Sequence, residues 1–251
     1  MLKPSQVHHS HCQTACKEYV PDTFTLLSWN IYKQNRSQER FASFVENCCT
    51  QSPDFLMLQE AQFHPGKECI LDTYAYEAAA NIEVDKGYYG VLTASKSTAV
   101  EAKAFLSEEK ELLIATHKSL LLSKYRFKDG RELLLVNVHA INFRENRAYE
   151  REKKRLEAFL SSYPGAVILS GDFNTWSSTR QKILQKSISK LNLTQVPFSD
   201  NDQVKSFMGN HLDMVFYRGL TLLDHTVLDD EGISDHRPLF IRFSLQEDIS
   251  S

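Results

Sequence analysis

No stretch of the sequence approaches the roughly 20 consecutive apolar residues that a membrane-spanning helix requires. The first twenty residues, MLKPSQVHHSHCQTACKEYV, lack the apolar run of a signal peptide. Charge of one sign is missing too: 29 Lys and Arg stand against 32 Asp and Glu, a formal net charge of -3. That balance gives no global pull towards nucleic acid or an anionic membrane, so a phosphate-bearing substrate would need local cations or a bound metal. Cysteine is scarce and odd in number, at Cys12, Cys16, Cys48, Cys49 and Cys69. The irregular spacing argues against a disulfide framework and for reduced thiols. Internal repeats, low-complexity tracts and linkers are absent. These absences predict a soluble, cytoplasmic protein with no integral membrane segment, and they carry no sign of its oligomeric state.

What is present is ordinary globular material. With 251 residues, 42% hydrophobic and 24% charged, the chain can bury a substantial core. Residues 23–246 read as a single domain, residues 1–22 as a polar N-terminal tail and residues 247–251 as a C-terminal tail. His8, His9, His11, Cys12 and Cys16 are soft-metal ligand types at close spacing, although loosely ordered termini are common. FTLLSWNI reads as a buried strand, SQERFASFVENCCTQ as a helix and DFLMLQE as a second buried strand. Strand, helix, strand with short links suggests an α/β unit. GYYGVLTAS, STAVEAKAFL, HKSLLLSKYRF and RELLLVNVHAINF read as strands. Asp129-Gly130 between the last two marks a hairpin. RENRAYEREKKRLEAFLSSY is a helix with Tyr149, Leu156, Phe159 and Leu160 on or near its apolar stripe. Ser177 or Ser178 caps another that runs to about Ile188. The final third returns to strands, giving a mixed sheet system flanked by helices.

The chemistry sits at strand tips. LLSWN ends on Asn30, FLMLQE on Glu60, LLLVNVH on His139 and VILSGDFN on Asp172 and Asn174. HLDMVF opens with Asp213, and ISDHRPLF with Asp235 and His236. A lone acid at a strand edge is usually solvated. Acids and imidazoles gathered at many tips tend to pair, bind metal or perform chemistry, because burying unpaired charge is costly. Asn30, Glu60, Asp172, Asn174 and Asp235 offer hard oxygens, which suit Mg²⁺, Mn²⁺ or Ca²⁺ better than zinc. A loosely held Mg²⁺ (or Mn²⁺) at Glu60, with Asn30 and Asp235 near it, is the expected cofactor.

In this order, SWNI, LQE, NVHAINF, GDFN, LDMVF and SDHRPLF resemble the endonuclease/exonuclease/phosphatase superfamily, whose members include DNase I-like nucleases, sphingomyelinases and inositol-polyphosphate phosphatases. The resemblance runs from about Phe24 to Leu245. VNVHAINF and GDFNTWSSTRQ are most similar to its YafD-like bacterial branch. The resemblance implies a DNase I-like α/β fold, a four-layer sandwich of two packed, mostly antiparallel sheets with helices outside. It implies that Glu60 ligates the metal with Asn30 close by. Asp172 would orient or deprotonate the attacking water, and Asn174 would hold phosphate. Asp213 would pair with His236, Asp235 would complete the SDH motif, and His139 would contact phosphate from another side. Tyr32 stands where some abasic-site endonucleases carry an acid, and His139 where they use a tyrosine, which argues against that activity.

The expected function is metal-dependent hydrolysis of a phosphodiester, nuclease-like, by in-line attack of water. The partner is a phosphoester substrate, nucleic acid among the candidates. The alternatives are a phosphatase or phospholipase-type enzyme acting on inositol phosphates or sphingomyelin, and a non-catalytic binding module on the same fold. Arg144 and Arg147, just beyond the His139 strand, are candidate substrate contacts; the helix they begin otherwise reads as a solvated, ion-paired face. Trp29 and Trp176 flank site residues and suit either base stacking or core packing. KGYYG is the one hint of an exposed aromatic tip of the kind that docks on membranes.

Overall fold

ELLLVNVH and AVILSGD carry apolar or small residues at nearly every position, and all seven residues of AVILSGD are buried. Strands covered on both faces read in this way, so helices must lie outside the sheets. The computed structural model describes residues 6–10, 16–32, 38–64, 71–84, 87–106, 119–139, 146–175, 177–199, 204, 206–207, 210–230 and 232–246. In chain order the elements are β1 (Val7–Ser10), β2 (Thr23–Asn30), α1 (Gln38–Asn47), β3 (Phe55–Phe63), β4 (Ala75–Val84), β5 (Gly87–Ser95), β6 (Glu101–Leu106), β7 (Ser119–Arg126) and β8 (Glu132–His139). There follow α2 (Asn146–Ser161), β9 (Ala166–Asp172), α3 (Ser178–Lys190), β10 (Thr194–Gln195), β11 (Ser206–Phe207), β12 (Asn210–His211), β13 (Asp213–Arg218), β14 (Leu220–Val227) and β15 (Leu239–Leu245).

One sheet has seven strands in the order β1-β4-β5-β3-β2-β15-β14, and the other six in the order β10-β13-β9-β8-β7-β6. Each contains one parallel pair, β2 with β3 and β8 with β9. Both pairs are joined through a helix, as parallel strands require. Side-chain alternation along β8 separates two cores. Leu133 and Leu135 point between the sheets, to Leu26, Phe55, Met57 and Ile241. Leu134 and Val136 point outwards, to Leu156 and Leu160 of α2 and to Leu184 and Ile188 of α3. On the far side Phe41 and Val45 of α1 cover Leu27, Trp29, Leu56 and Leu58. The layers are therefore α1, the seven-stranded sheet, the six-stranded sheet, and α2 with α3. This is the four-layer DNase I-like sandwich that the sequence motifs imply.

Local chemistry follows the sequence in most places. Gly130 has φ +90 in the hairpin after β7. The Ser177 hydroxyl caps α3 by accepting the Arg180 N–H at 3.3 Å. On α2, Leu156 and Leu160 are buried, but Phe159 is 37% exposed at the edge of the stripe. The side chain of Tyr149 lies outside the described residues.

The segment read as a polar tail contains structure. β1 adds antiparallel to β4, an edge strand that caps the seven-stranded sheet. His8 is buried between the rings of Phe63 and Tyr88, and burial lowers its pKa. His9 bonds through Nδ1 to Glu77. Val20 sits in the core between the sheets. His11 and Cys12 lie outside the described residues. Cys16 is disulfide-bonded, against the expectation of reduced thiols throughout; an odd cysteine count excludes a fully paired framework, not one bridge. Cys48 and Cys49 are free, and burial pushes the Cys48 thiol up to about 12. Among the described residues no helix is long and apolar enough to cross a membrane.

Candidate active site

Parallel βαβ units leave their strand ends and loops free for ligands at the carboxyl edge. Here two such units face each other across the sandwich. Asn30 ends β2, His139 ends β8 and Asp172 ends β9. The two sheets meet at these ends, where Asn30 Nδ2 donates to Asp172 Oδ2 at 3.3 Å. Asp172 Oδ1 accepts the backbone N–H of Asn174 at 2.9 Å. Antiparallel pairing sets Asp213, the first residue of β13, directly opposite Asp172. Asp213 Oδ2 in turn lies 2.6 Å from Nδ1 of His236. His139 Nε2 stands 3.7 Å from Glu60 Oε1 and 3.8 Å from Asp172 Oδ2.

Glu60 reaches the cluster through a backbone irregularity. Regular alternation would send Gln59 and Glu60 to opposite faces of β3. The register shifts between Leu58 and Ala61, and Glu60 adopts φ +53. A bulge of this kind re-aims a side chain. Among the described residues, three of the four non-glycine residues at positive φ are Tyr32, Glu60 and Asn174, all at or beside the site, where such strain tends to concentrate.

The loop carrying Asp235 and His236 is stitched to β2 from several directions. Asp230 accepts the Ser234 N–H at 2.6 Å, and Ser234 Oγ donates to the Asn30 carbonyl at 2.7 Å. Trp29 Nε1 donates to the His236 carbonyl at 2.7 Å. Burial alone would lower the His236 pKa. The Asp213 carboxylate and its hydrogen bond, with Asp172 and Asp235 behind them, outweigh burial and raise it to about 9. The imidazole is therefore a cation at neutral pH.

Residues 27–236 match the family model described as "Endonuclease/Exonuclease/phosphatase family". The chain belongs to that family. The UPF0294 protein of Vibrio campbellii is 35% identical over 228 residues, covering 88% of this chain and 78% of that one. Its counterpart in Yersinia enterocolitica is 36% identical over 223 residues, covering 87% and 82%. A family protein of Bacteroides thetaiotaomicron superimposes with a TM-score of 0.68 at 18% identity, over 91% of this chain and 100% of that one. Endonuclease/exonuclease/phosphatase proteins are hydrolases of phosphoester bonds, and the coarse activity of this chain follows from its membership.

Within this family fold, the structure brings together seven of the residues singled out from sequence: Asn30, Glu60, His139, Asp172, Asn174, Asp213 and His236. Asp235 stands at the rim, its side chain 54% exposed, with Oδ1 3.9 Å from His236 Nε2. Arg144 and the side chain of Arg147 lie outside the described residues, as does Trp176. Trp29 is 1% exposed and packs on Phe41 and Phe44, so it is a core residue that also anchors the His236 loop. Sequence reasoning missed Asp230, Ser234 and Arg180. Arg180 is completely buried and donates from Nη1 to the Asn174 carbonyl at 3.1 Å. A cation on the apolar side of a helix directly after GDFN is the signal that would have found it.

Proposed function

We propose that the protein is a metal-dependent phosphodiesterase of nuclease type. The observation that carries this reading is the chain of contacts Asn30–Asp172 and Asp213–His236, with Asp172 and Asp213 paired across β9 and β13. It joins a buried carboxylate on one sheet to a buried, charged imidazole in a loop tied to the other. Asp172 is held by Asn30 and by the Asn174 amide, which fixes the direction from which it accepts a proton. Its first task is to orient the water. His236, held through Nδ1 by Asp213, presents Nε2 as donor to a phosphoryl or leaving oxygen. Asn174 and His139 supply further groups for the phosphate charge.

The donor set fits a hard divalent cation. The Glu60 and Asp172 carboxylates lie 3.7 and 3.8 Å from His139 Nε2, Asn30 beside them turns Nδ2 to Asp172 and Oδ1 to the Tyr32 N–H, and Asp213 Oδ1 is buried without a hydrogen-bond partner. Asp172, Asp213 and His236 have ligand atoms within 4.8 Å of one another, but a protonated imidazole offers no lone pair to a metal. The oxygen side, Glu60 with Asn30, would therefore hold Mg²⁺ or Mn²⁺, with Asp235 at the rim. A bound divalent ion would neutralise phosphate charge and stabilise the leaving oxygen.

KGYYG does not supply a membrane-docking tip through its tyrosines. Tyr89 is buried in β5, and Tyr88 stacks on Phe63. This favours a soluble phosphodiester over sphingomyelin. A solved structure described as ANGEL2, a 2′,3′-cyclic phosphatase, shares the fold with a TM-score of 0.63 at 17% identity over 90% of this chain and 96% of that one, so cyclic nucleotides belong among the substrates tried. The test is a panel of plasmid DNA, single-stranded oligonucleotides, RNA, 2′,3′-cyclic nucleotides, bis-p-nitrophenyl phosphate, inositol phosphates and sphingomyelin, each with and without Mg²⁺. Cleavage of a diester is expected; turnover confined to monoesters or to sphingomyelin would overturn the reading.

A further inference from the structure

The core between the sheets is largely apolar, but polar side chains are buried in it, one set of them immediately beneath the site. There Ser28, Gln59, Asn137 and Ser170 are between 0% and 3% exposed. Each precedes a site residue. Strand alternation puts residue i−2 on the same face, so Ser28 lies under Asn30, Asn137 under His139 and Ser170 under Asp172. The bulge brings Gln59 to the same side as Glu60.

These four side chains bond across the gap. Ser170 Oγ donates to Ser28 Oγ at 2.7 Å, joining β9 to β2. Gln59 Nε2 donates to Asn137 Oδ1 at 2.8 Å, joining β3 to β8. Asn137 Nδ2 reaches further, to the carbonyls of Leu58 at 3.2 Å and Leu92 at 3.0 Å. Those carbonyls border the bulge, where the β3–β5 ladder is interrupted. Asn137 thus occupies the gap in hydrogen bonding that lets Glu60 turn out of register.

An apolar layer would fill this space equally well and would not fix how far one sheet slides over the other, because apolar contacts are non-directional. Hydrogen bonds are directional, and an unmatched buried polar group is costly, so a satisfied polar pair selects one register. We propose that Ser28, Gln59, Asn137 and Ser170 are positioning residues that lock the two sheets in the register at which Asn30 and Glu60 face Asp172 and His139. Ser28–Ser170 fixes the Asn30–Asp172 approach, and Gln59–Asn137 fixes Glu60 against His139.

The kinetic arm of the test rests on the phosphoesterase reading; the crystallographic arm does not. The double variant Ser28→Ala/Ser170→Ala removes both hydroxyls together, so neither partner is orphaned, and its thermal stability should stay close to wild type. Its kcat on the diester preferred by the wild type should fall at least about 10-fold, since small misplacements of reacting groups can cost about 10²-fold. KM should change less than kcat. Its crystal structure should show the Asn30–Asp172 contact, 3.3 Å in the wild type, broken or lengthened. Asn137→Leu should likewise release Glu60 from its left-handed conformation. Wild-type kcat with an unmoved Asn30–Asp172 contact would overturn the proposal. So would a kcat loss that merely follows a drop in stability. If the wild type cleaves no phosphoester, the functional reading fails and the crystallographic distance alone decides the register.

Discussion

At the scale of single residues, His236 ties stability and chemistry to pH. Its folded pKa, about 9, lies above the ordinary histidine value of 6.5. A raised histidine pKa means that the folded state binds the proton more tightly, so the stabilisation is complete below about pH 6.5 and is lost as pH rises through about 9. Unfolding midpoints measured by denaturant titration should therefore fall across that window, and the fall should flatten in His236→Ala. In the proposed mechanism the same proton is the one offered to the phosphoryl oxygen, so kcat/KM should decline on an alkaline limb near pH 9. Asp213→Asn should move that limb to lower pH, because it removes the largest of the effects that raise the pKa. Either Asp172→Asn or His236→Ala should lower turnover at least about 10²-fold, the scale of a lost acid–base group. Most of these residues were legible because strand tips in GDFN and SDH carry polar side chains that a buried strand would not otherwise tolerate. Asp230 and Ser234 were not, because their task is to bond the backbone of a loop whose path no periodicity reveals.

Among the elements, the β8–β9 pair and its loop are the most demanding. Gly171 has φ +141, and a Cβ placed there would lie 1.9 Å from the Val138 carbonyl oxygen. Gly171→Ala should cost about 3 kcal/mol, the upper end of the range for overpacking in a core, and chemical denaturation would measure it. Arg180 on α3 supports the turn that follows. Arg180→Met should lower stability by about 2 kcal/mol, within the range for a charge-assisted hydrogen bond, and lower activity through Asn174. The strands themselves were readable from their continuous apolar runs, and α3 from its serine cap. The bulge at Glu60 was not, since FLMLQE looks like an uninterrupted strand. Nor was the edge strand at Val7–Ser10, because VHHS lacks both apolar run and alternation. Its pairing comes from β4 and not from its own propensity.

For the whole molecule, the proposed site rests on two βαβ units, one in each sheet, held so that their carboxyl ends meet. Neither sheet alone carries a complete site: Asn30 and Glu60 come from one, His139, Asp172 and Asp213 from the other. The family motifs implied the four layers and the convergence. The polar layer beneath the site escaped sequence reasoning because Ser28 and Ser170 read as ordinary strand residues until the sheets are stacked.

The account is tested most directly by one measurement: turnover of bis-p-nitrophenyl phosphate by the wild type and by Asp172→Asn, each after EDTA treatment and again after added Mg²⁺ or Mn²⁺. The wild type should lose activity with EDTA and recover it with the cation, while Asp172→Asn stays at least about 10²-fold slower throughout. Undiminished hydrolysis by metal-free wild type, or full activity in Asp172→Asn, would contradict it.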